Sequence, residues 1–445
     1  MLFEFVKYIQ PIWYFNQKPG GEVPYWIDYR KLPVDYAAIV QLDGTYKNES
    51  SVLADAAFQL YYSGVVWHNG DAVLESSTII RNVEDNYLFV RRFFSKHWLV
   101  YILIIRLLAL NNPGREICGY RKAIKAKRLY FKHYGTLNAD FESFQSKLVE
   151  QQPLVSVIVP TLNRYHYLDN VLNDLEKQDY SNFEVIICDQ STPVDHDFYK
   201  NRKLNLRLIE QEEKALWLAR NRSIQAANAD FVALSDDDMR ISPDWIRNHL
   251  KCLDYFNADI SAGTFVPENT DITNHRQSFH WASHFSTNNV LLKKEVFRKV
   301  GLFDRQFEKL RMGDGEFGMR CYINGLKSIS NPAAISLDVK APVGGLRQMG
   351  SWDSIRPTKL FAPRPVPSVL YYARRYHGKK AAWFYLLKNF PKMLLPYKYR
   401  HQTRLLPFAF LMGMLLFPLL VIQISVSWNR ASKMVNHGPK IEFLK

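Results

Sequence analysis

The stretch VSVIVPTLNRYHYLDNVLNDLEKQ (155–178) decides the fold class of this chain of 445 residues. It begins with VSVIV (155–159), an apolar, β-branched run of the kind found in strands buried within parallel sheets. The loop PTLNR comes next, and apolar residues then recur at the i, i+3, i+4 and i+7 positions of one helix face, at Leu168, Val171, Leu172 and Leu175. The stretch therefore predicts a buried strand, a loop and an amphipathic helix in succession.

The same pattern of strand and helix continues along the chain. FEVIIC (183–188) and DFVALS (230–235) are apolar runs typical of buried strands, and NLRLI (205–209) is a third candidate strand. ALWLARNRSIQAAN (215–228) has the pattern of a helix. Alternation of strands and helices at this spacing predicts an α/β fold with a doubly wound, mostly parallel sheet.

Polar residues follow the predicted strands at their carboxyl ends, where such sheets bind ligands. They are Thr161, Asp189 and the acidic triplet Asp236, Asp237 and Asp238. Three adjacent carboxylates after a buried strand are costly unless a cation neutralises them. Mg²⁺ or Mn²⁺ would do so while holding a diphosphate, because these ions prefer carboxylate and phosphate oxygens. A solvated acidic loop is the alternative.

A second acidic cluster lies in MGDGEFGMRCYINGL (312–326), whose pattern predicts a short helix that stops at Gly325. Asp314 and Glu316 would lie in its first turn, either as acids that compensate the helix dipole or with one of them as a general base. Arg220 belongs to the predicted helix before DFVALS. Its guanidinium would either bind a phosphate in bidentate fashion or simply face solvent.

Six segments between residues 153 and 345 resemble the family 2 glycosyltransferases in their order and spacing. They are VSVIVPTLNRYHYLDNVLNDLEKQ, FEVIICDQST, ARNRSI, FVALSDDD, GLFDRQF and GDGEFGMR. Each segment alone is a weak signal, whereas six in sequence are specific. The resemblance implies the GT-A nucleotide-diphospho-sugar transferase fold, and transfer of a sugar with inversion at the anomeric carbon by a single displacement.

The resemblance also implies roles for individual residues. Nucleotide-sugar binding is assigned to Thr161, Asn163, Asp189, Arg220, Asp236 and Asp237. Asp236 and Asp238 match the ends of the DxD motif and would hold Mn²⁺ or Mg²⁺. Asp338 is a further candidate metal ligand, because many relatives place a metal-binding His near it. Asp314 matches the general base of the family, and Glu316 matches the acid that follows it.

The chain departs from the family pattern at a few positions. Gln190 stands where a second Asp is frequent, and Gly313 replaces the Glu before the base. Arg222 and Ser223 follow ARN in place of the usual residue and Gly. These departures bear on nucleotide preference and metal ligation, and they leave the catalytic acids in place.

The C-terminal region differs from the central segment in charge. The net charge of +15 resides in residues 354–441, which have fifteen Lys and Arg and no Asp or Glu. Aromatic and aliphatic residues are interleaved with these charges, which favours an anionic membrane surface over nucleic acid as the partner. Residues 405–428 have no ionisable group and are long enough to span about 30 Å of hydrocarbon, although prolines in this stretch also fit a kinked or hairpin path. A buried helical core is the alternative.

Residues 1–150 give fewer signals. YAAIVQL (36–42) predicts a strand. WLVYILIIRLLAL (98–110), with basic residues on both sides, predicts either a helix in a membrane interface or a buried helix. The four cysteines form no CxxC pair, which fits a reducing compartment. The expected organisation is an N-terminal extension of unknown role (1–150), a GT-A catalytic domain (153–350) and a membrane-associated helical tail (351–445).

Together these patterns predict an inverting glycosyltransferase at the cytoplasmic face of the inner membrane, bound peripherally or by one inserted segment. Its donor would be a nucleotide-diphospho-sugar and its acceptor a hydroxyl of a lipid-linked or surface glycan, and no nucleic-acid partner is expected. One alternative is a non-catalytic, membrane-bound scaffold of the same fold. The other is a sugar-nucleotide pyrophosphorylase, which would be expected to have a Gly-rich phosphate loop where this chain has PTLNRYHY.

Overall fold

The computed structural model describes residues 2–21, 23, 25–67, 72–74, 80–130, 138–268, 278–282, 285–339, 355, 361–395, 399 and 402–444. In these ranges the helices are α1 (Val6–Ile9), α2 (Val34–Ala37), α3 (Glu49–Ser63), α4 (Val83–Phe93), α5 (Lys96–Leu108), α6 (Pro113–Ala123), α7 (Lys147–Glu150), α8 (Tyr165–Leu175), α9 (His196–Tyr199), α10 (Leu216–Ala226), α11 (Trp245–Tyr255), α12 (Glu295–Val300), α13 (Gly313–Ile323), α14 (Pro367–Tyr376), α15 (Gly378–Asn389), α16 (Leu406–Leu415) and α17 (Phe417–His437). The strands are β1 (Val155–Thr161), β2 (Phe183–Asp189), β3 (Leu206–Glu210), β4 (Phe231–Ser235), β5 (Met239–Ile241), β6 (Ile260–Pro267), β7 (His280–Trp281), β8 (Asn289–Lys293) and β9 (Ser328–Asp338).

These strands form a single sheet within the described residues, in the order β3-β2-β1-β4-β8-β6-β9-β5, with β7 paired to β9. The first four strands along the chain pair in parallel. Strand β8 runs antiparallel to both β4 and β6, so β6 and its parallel partner β9 share the direction of those four strands. The predicted α/β fold with a doubly wound, mostly parallel sheet is confirmed.

Burial accounts for the first strand and helix of this sheet. All seven residues of β1 are buried. The apolar face of α8 is buried at each of the four positions that the helical repeat predicts, Leu168, Val171, Leu172 and Leu175. Burying an aliphatic side chain of this size stabilises a fold by about 1.5–3 kcal/mol. The spacing of apolar residues therefore accounts for the formation and packing of β1 and α8.

The register of the parallel strands brings their polar ends to one edge of the sheet. Thr161 at the end of β1 lies beside Asp189 at the end of β2. On the other side of β1, strand β4 ends at Ser235, immediately before the acidic triplet. The polar residues that the sequence places after separate strands therefore gather at the ligand-binding edge of such a sheet.

The strand predicted over residues 36–42 is wrong. Tyr36 and Ala37 instead end helix α2, which begins directly after Pro33, whose fixed φ and missing N–H suit the start of a helix. Ile39 is buried in a small apolar cluster with Leu60 of α3. Local packing, rather than pairing with another strand, therefore satisfies the apolar residues that suggested a strand.

The helix predicted over residues 98–110 is confirmed as α5. Its buried side includes Leu99 and Ile102, which pack in a cluster with residues of α1 and α4. Its other side exposes Ile104 and Leu108. The helix thus has one apolar side packed on the N-terminal region and one apolar side open to solvent.

The C-terminal tail packs on the central domain through its two ends. Tyr371 of α14 donates a hydrogen bond from its hydroxyl to Asp304 Oδ2 at 3.2 Å. Lys440, beyond α17, donates its backbone N–H to Asp304 Oδ1 at 2.9 Å. The backbone N–H of Leu302 donates to the carbonyl oxygen of Glu442 at 2.7 Å. One buried carboxylate therefore fixes the first helix and the last segment of the tail.

The middle of the tail is more open. The apolar residues predicted over 405–428 form α16 and the first half of α17, and large side chains such as Phe408, Leu415 and Phe417 are exposed. In the described part of the chain, no single helix has both the length and the apolar composition needed to cross a membrane. Helices α16 and α17 meet that requirement only as a pair, with a bend of 86° between them.

Candidate active site

Two carboxylates of the acidic triplet are neutralised by the protein itself. Asp237 accepts hydrogen bonds from Thr161 Oγ1 at 2.8 Å and from Arg164 Nη1 at 2.8 Å. The same Arg164 nitrogen lies 3.3 Å from Asp238 Oδ2, and both aspartates are buried. Burial raises the pKa of Asp237, and the Arg164 guanidinium opposes that rise. Arg164 therefore balances two buried negative charges at the end of β4.

Arg220 is a buried partner of the first acidic cluster. Only 1% of its side chain is exposed, and its Nη2 donates to Asp236 Oδ1 at 2.5 Å, which excludes the solvent-facing alternative. Asp236 keeps 39% of its side chain exposed. Burial lowers the pKa of Arg220, while the negative charges of Asp236 and Asp314 oppose that shift. The guanidinium carbon of Arg220 lies 5.4 Å from the centre of the Trp217 ring, and that ring packs against Gly313, so the two acidic clusters lie in the same region.

Asp314 is the second residue of α13 and is half-buried. Its Oδ1 accepts the backbone N–H of Gly315 at 2.7 Å. The indole of Trp217 occupies the space beside the preceding residue, since a Cβ atom on Gly313 would lie 2.3 Å from that ring. Trp217 therefore explains why Gly313 stands where the family pattern has a Glu.

Glu316 lies in the same first turn of α13 but is fully buried. Arg320 Nε donates to its two oxygens at 3.0 and 3.1 Å, and the hydroxyl of Tyr376 donates to Oε1 at 2.5 Å. Arg320 also donates to the backbone carbonyls of residues 300–302. The two acids of the GDGE motif therefore differ, because Asp314 is accessible and Glu316 is enclosed by protein donors.

Asp189 ends β2 as a buried acceptor of three hydrogen bonds. The hydroxyls of Tyr165 and Tyr199 donate to its Oδ2 at 2.7 and 2.8 Å, and the backbone N–H of Ser191 donates to Oδ1 at 2.8 Å. The exposed Asn163, with a left-handed φ of 54°, donates its backbone N–H to Ser191 Oγ at 2.8 Å. Burial raises the pKa of both phenols, which therefore stay protonated as donors to Asp189.

Asp338 lies next to the acidic triplet through the sheet. It ends β9 opposite Met239 of β5, and the backbone N–H of the following Val339 donates to the carbonyl oxygen of Asp238 at 3.1 Å. Within the described ranges, no group of three or more His, Cys, Asp or Glu side chains could hold a metal ion. A Mn²⁺ or Mg²⁺ ion in these ranges would therefore need diphosphate and water as further ligands beside one or two carboxylates.

Several site residues have no role among those assigned from the sequence: Arg164, Tyr165, Tyr199 and Trp217. Arg164 and Tyr165 follow Thr161 closely in the quoted motif, so their position is a usable signal. Tyr199 and Trp217 are aromatic residues in segments that carry no acidic motif, and only the folded chain places them beside Asp189 and Gly313.

Residues 156–319 match the family model described as glycosyl transferase family 2. The putative glycosyltransferase EpsH of Bacillus subtilis (strain 168) is 30% identical over 105 residues, which cover 23% of this chain and 30% of EpsH. The chain therefore matches less than a third of the length of this relative.

Two solved structures are also similar. S. aureus TarS 1–349, in complex with UDP-GlcNAc, has a TM-score of 0.41 and 19% identity and covers 61% of this chain and 80% of TarS 1–349. The mannosyltransferase PcManGT from Pyrobaculum calidifontis, in complex with GDP-Man and Mn²⁺, has a TM-score of 0.38 and 16% identity and covers 68% of this chain and 86% of its own. Both TM-scores are low, so the fold is assigned from the sheet and the family match.

The central segment of the chain therefore matches the family 2 glycosyltransferases, and its sheet is the mostly parallel α/β sheet that the resemblance implies. This confirms the family resemblance and favours a transferase over the pyrophosphorylase alternative.

Proposed function

We propose that the chain is an inverting glycosyltransferase that moves a sugar from a nucleotide-diphospho-sugar to a hydroxyl of a lipid-linked or surface-glycan acceptor. One observation carries the proposal: the buried Arg220 pairs with Asp236 and packs on Trp217, whose ring lies against Gly313, the neighbour of the candidate base Asp314. The two acidic clusters therefore face one site, as a reaction that joins a donor and an acceptor requires.

The donor is proposed to bind along the edge where β1, β2 and β4 end. The nucleoside would lie against the loop of Thr161 and Asn163 and against Asp189, whose orientation is fixed by three donors. The diphosphate would lie near Arg220, whose buried guanidinium is paired with one partly exposed carboxylate. A charge-assisted bond from Arg220 to a phosphate oxygen is stronger than a neutral hydrogen bond.

Asp238 and Asp236 are proposed to hold Mn²⁺ or Mg²⁺, with Asp338 as a neighbouring candidate. The ion would supply neutralisation of the negative charge on the diphosphate leaving group. Arg164 contacts Asp238 in this structure, so this carboxylate would have to be shared with, or released by, the arginine. The exposed part of Asp236 is already open to a ligand.

Asp314 is proposed to be the general base. Its carboxylate would accept the proton of the acceptor hydroxyl as that oxygen forms a bond to the anomeric carbon. The bond from the anomeric carbon to the diphosphate oxygen breaks on the opposite face, and the nucleoside diphosphate leaves with both bonding electrons. The half-buried position of Asp314 supports this role, since a base must reach the acceptor.

A transfer assay tests the proposal. Purified full-length protein with Mn²⁺ is given UDP-, GDP- and dTDP-sugars together with glycan and lipid-linked acceptors, and the anomeric configuration of the product is read by NMR. Transfer from one donor with inverted configuration is the expected result. A product with retained configuration would contradict the single displacement, and a folded protein inactive with every donor would favour the scaffold alternative.

The tail is proposed to hold the enzyme on an anionic membrane at the cytoplasmic face of the inner membrane. The exposed apolar residues of α16 and α17 support this, as do exposed apolar residues of α5 in the N-terminal region. Basic residues between 374 and 404 would add electrostatic attraction of about 1 kcal/mol each near an anionic leaflet. An acceptor linked to a lipid would then lie within reach of Asp314.

A further inference from the structure

The N-terminal region lies along the helix that carries Asp314. The hydroxyl of Tyr14 donates to the carbonyl oxygen of Gly315 at 2.6 Å, in the first turn of α13. The hydroxyl of Tyr322, near the other end of the helix, donates to the carbonyl oxygen of Gln17 at 3.1 Å. The backbone N–H of Gly20 donates to the carbonyl oxygen of Tyr322 at 3.3 Å. The contact therefore extends over the length of α13.

The fit between Tyr14 and α13 depends on the absence of a side chain at Gly318. A Cβ atom on Gly318 would lie 2.4 Å from the Tyr14 hydroxyl oxygen. Gly318 lies one turn along from Gly315 and shares its face of the helix. Tyr14 is itself buried, so its hydroxyl is held in place by packing as well as by the hydrogen bond.

The tail contacts the same first turn through Glu316. Tyr376, the last residue of α14, donates its hydroxyl to Glu316 Oε1 at 2.5 Å. Arg375 Nη1 lies 3.8 Å from the same oxygen and 3.2 Å from Asp304 Oδ2. The first turn of α13 is therefore held by one phenol from each of the two regions that flank the transferase domain.

The start of α13 is not fixed by its own cap. The N-cap residue is Met312, which has a left-handed φ of 77° and forms no side-chain cap hydrogen bond. A helix end without a side-chain cap leaves its first backbone groups without the usual local support. Asp314 itself accepts the backbone N–H of Gly315, so contacts that hold Gly315 and its neighbours in place also bear on the Asp314 carboxylate.

We propose that Tyr14 and Tyr376 are positioning residues that set the orientation of the first turn of α13, and through it the carboxylate of Asp314. The N-terminal region and the tail then contribute to the rate of transfer as well as to the fold. This inference rests on the proposed role of Asp314 as the base.

The test compares Tyr14→Phe and Tyr376→Phe with two control variants. Tyr371→Phe removes a hydroxyl from the same helix as Tyr376, where it bonds Asp304. Tyr46→Phe removes a buried hydroxyl of the N-terminal region that bonds Asp55. Each variant is made in the wild-type chain and in the Asp314→Asn chain, and kcat, KM for the donor and the unfolding temperature are measured on the full-length protein.

Tyr14→Phe and Tyr376→Phe are expected to lower kcat on the order of tenfold, because misplacing a reacting group by a fraction of an ångström is costly, while KM for the donor stays unchanged. The controls are expected to keep kcat near wild type. In the Asp314→Asn chain, neither test variant is expected to slow the residual reaction further, since the base that they position is absent.

An equal fold-loss of kcat in both chains, or unchanged kcat in the wild-type chain, would overturn the positioning role. If Asp314→Asn itself kept the wild-type rate, the proposed base would fail instead, so the two failures are distinguishable. A variant that lowers the unfolding temperature without the loss of kcat indicates a purely structural hydroxyl, which also overturns the inference.

Discussion

The two acidic clusters of the site lie on different elements of the fold, and each combines one partly exposed carboxylate with one or more buried carboxylates. The cluster after β4 contains a partly exposed carboxylate, Asp236, beside two buried ones that share Arg164. The cluster at the start of α13 contains the half-buried Asp314 beside the buried Glu316, which pairs with Arg320. In each cluster an arginine accompanies the enclosed acid, and Arg220 pairs with Asp236 and packs on Trp217 beside the second cluster.

The difference in exposure indicates different roles: the open acids (Asp236 and Asp314) serve the chemistry, and the enclosed acids serve mainly the stability of the fold. An enclosed carboxylate with several protein donors is already satisfied, so its removal leaves a buried arginine unpaired. An open carboxylate is available to a ligand. We therefore expect substitutions of open acids to change the chemistry with little change in stability, and substitutions of enclosed acids to change stability as well.

Removing the metal ion is expected to have the largest effect. Chelation should abolish transfer, and added Mn²⁺ or Mg²⁺ should restore it, because the leaving diphosphate needs charge neutralisation. Asp238→Asn should lose activity and Mn²⁺ binding measured by calorimetry, and Asp338→Ala should weaken that binding less. Full turnover in EDTA would remove the metal from the mechanism and leave Asp238 with only a structural role beside Arg164.

Asp314→Asn is expected to lower kcat by a factor of about 10²–10⁴, the usual scale for loss of a general base, with unchanged donor affinity. Glu295→Gln is the matched control, since Glu295 is an exposed acid in the first turn of the neighbouring α12. Near-normal transfer by Asp314→Asn would show that the open acid of this cluster is not the base, and Glu316 would then be the next candidate base.

Glu316→Gln is expected to destabilise the fold by about 3–5 kcal/mol, because it removes one charge from a buried ion pair and leaves Arg320 uncompensated. The unfolding temperature of the variant measures this effect. Asp314→Asn should change the stability less, because the side chain is half-buried and the amide oxygen can still accept the N–H of Gly315. Equal effects of the two substitutions on the unfolding temperature would show that the open and enclosed acids do not differ in their contribution to stability.

Tyr165→Phe and Tyr199→Phe are each expected to weaken donor binding on the order of tenfold, because each phenol holds Asp189 in a fixed orientation before the donor binds. Each variant leaves Asp189 with one donor fewer. Calorimetric titration with nucleoside diphosphates measures the change, and Tyr167→Phe on the same helix is the control. An unchanged affinity for nucleoside diphosphates in both variants would show that Asp189 does not take part in binding the nucleoside.

The C-terminal tail shows a similar contrast, since its two ends are packed on the central domain and its middle is exposed. Substitutions in this exposed middle are expected to have the smallest effect. Substituting Phe408 or Leu415 with Glu should lower the fraction of protein bound to anionic vesicles several-fold, because burying such a side chain contributes about 1.5–3 kcal/mol. Val34→Glu, at an exposed apolar residue of the N-terminal region, is the control. Equal binding by all variants would contradict membrane contact by the tail. Deletion from residue 370 is a poorer test, since α14 is largely buried.

Local patterns predict much of the transferase domain. The strand and helix from residue 155 to 178 follow from apolar spacing alone, and Asp314 and Glu316 lie in a first helical turn as their motif predicts. The spacing of Glu316 and Arg320, four residues apart, is also readable as an ion pair along a helix.

Contacts between distant segments are not readable in this way. Residues 36–42 have the composition of a strand, and only packing against α3 decides their helical turn. The contact of Tyr376 with Glu316 joins positions 60 residues apart. That of Tyr14 with Gly315 spans 301 residues. No spacing rule reaches such distances, so the involvement of both flanking regions at α13 emerges only from the folded chain.

The contact of Trp217 with Gly313 makes these two positions interdependent in evolution. The indole Nε1 donates to the carbonyl oxygen of Phe307 at 3.0 Å, which fixes the ring over the glycine. A change of Gly313 to the Glu of the family pattern would collide with the ring, and loss of the ring alone would open a void. A change from this arrangement to the usual family motif therefore requires substitutions at both positions 217 and 313. These two positions are expected to covary among related chains.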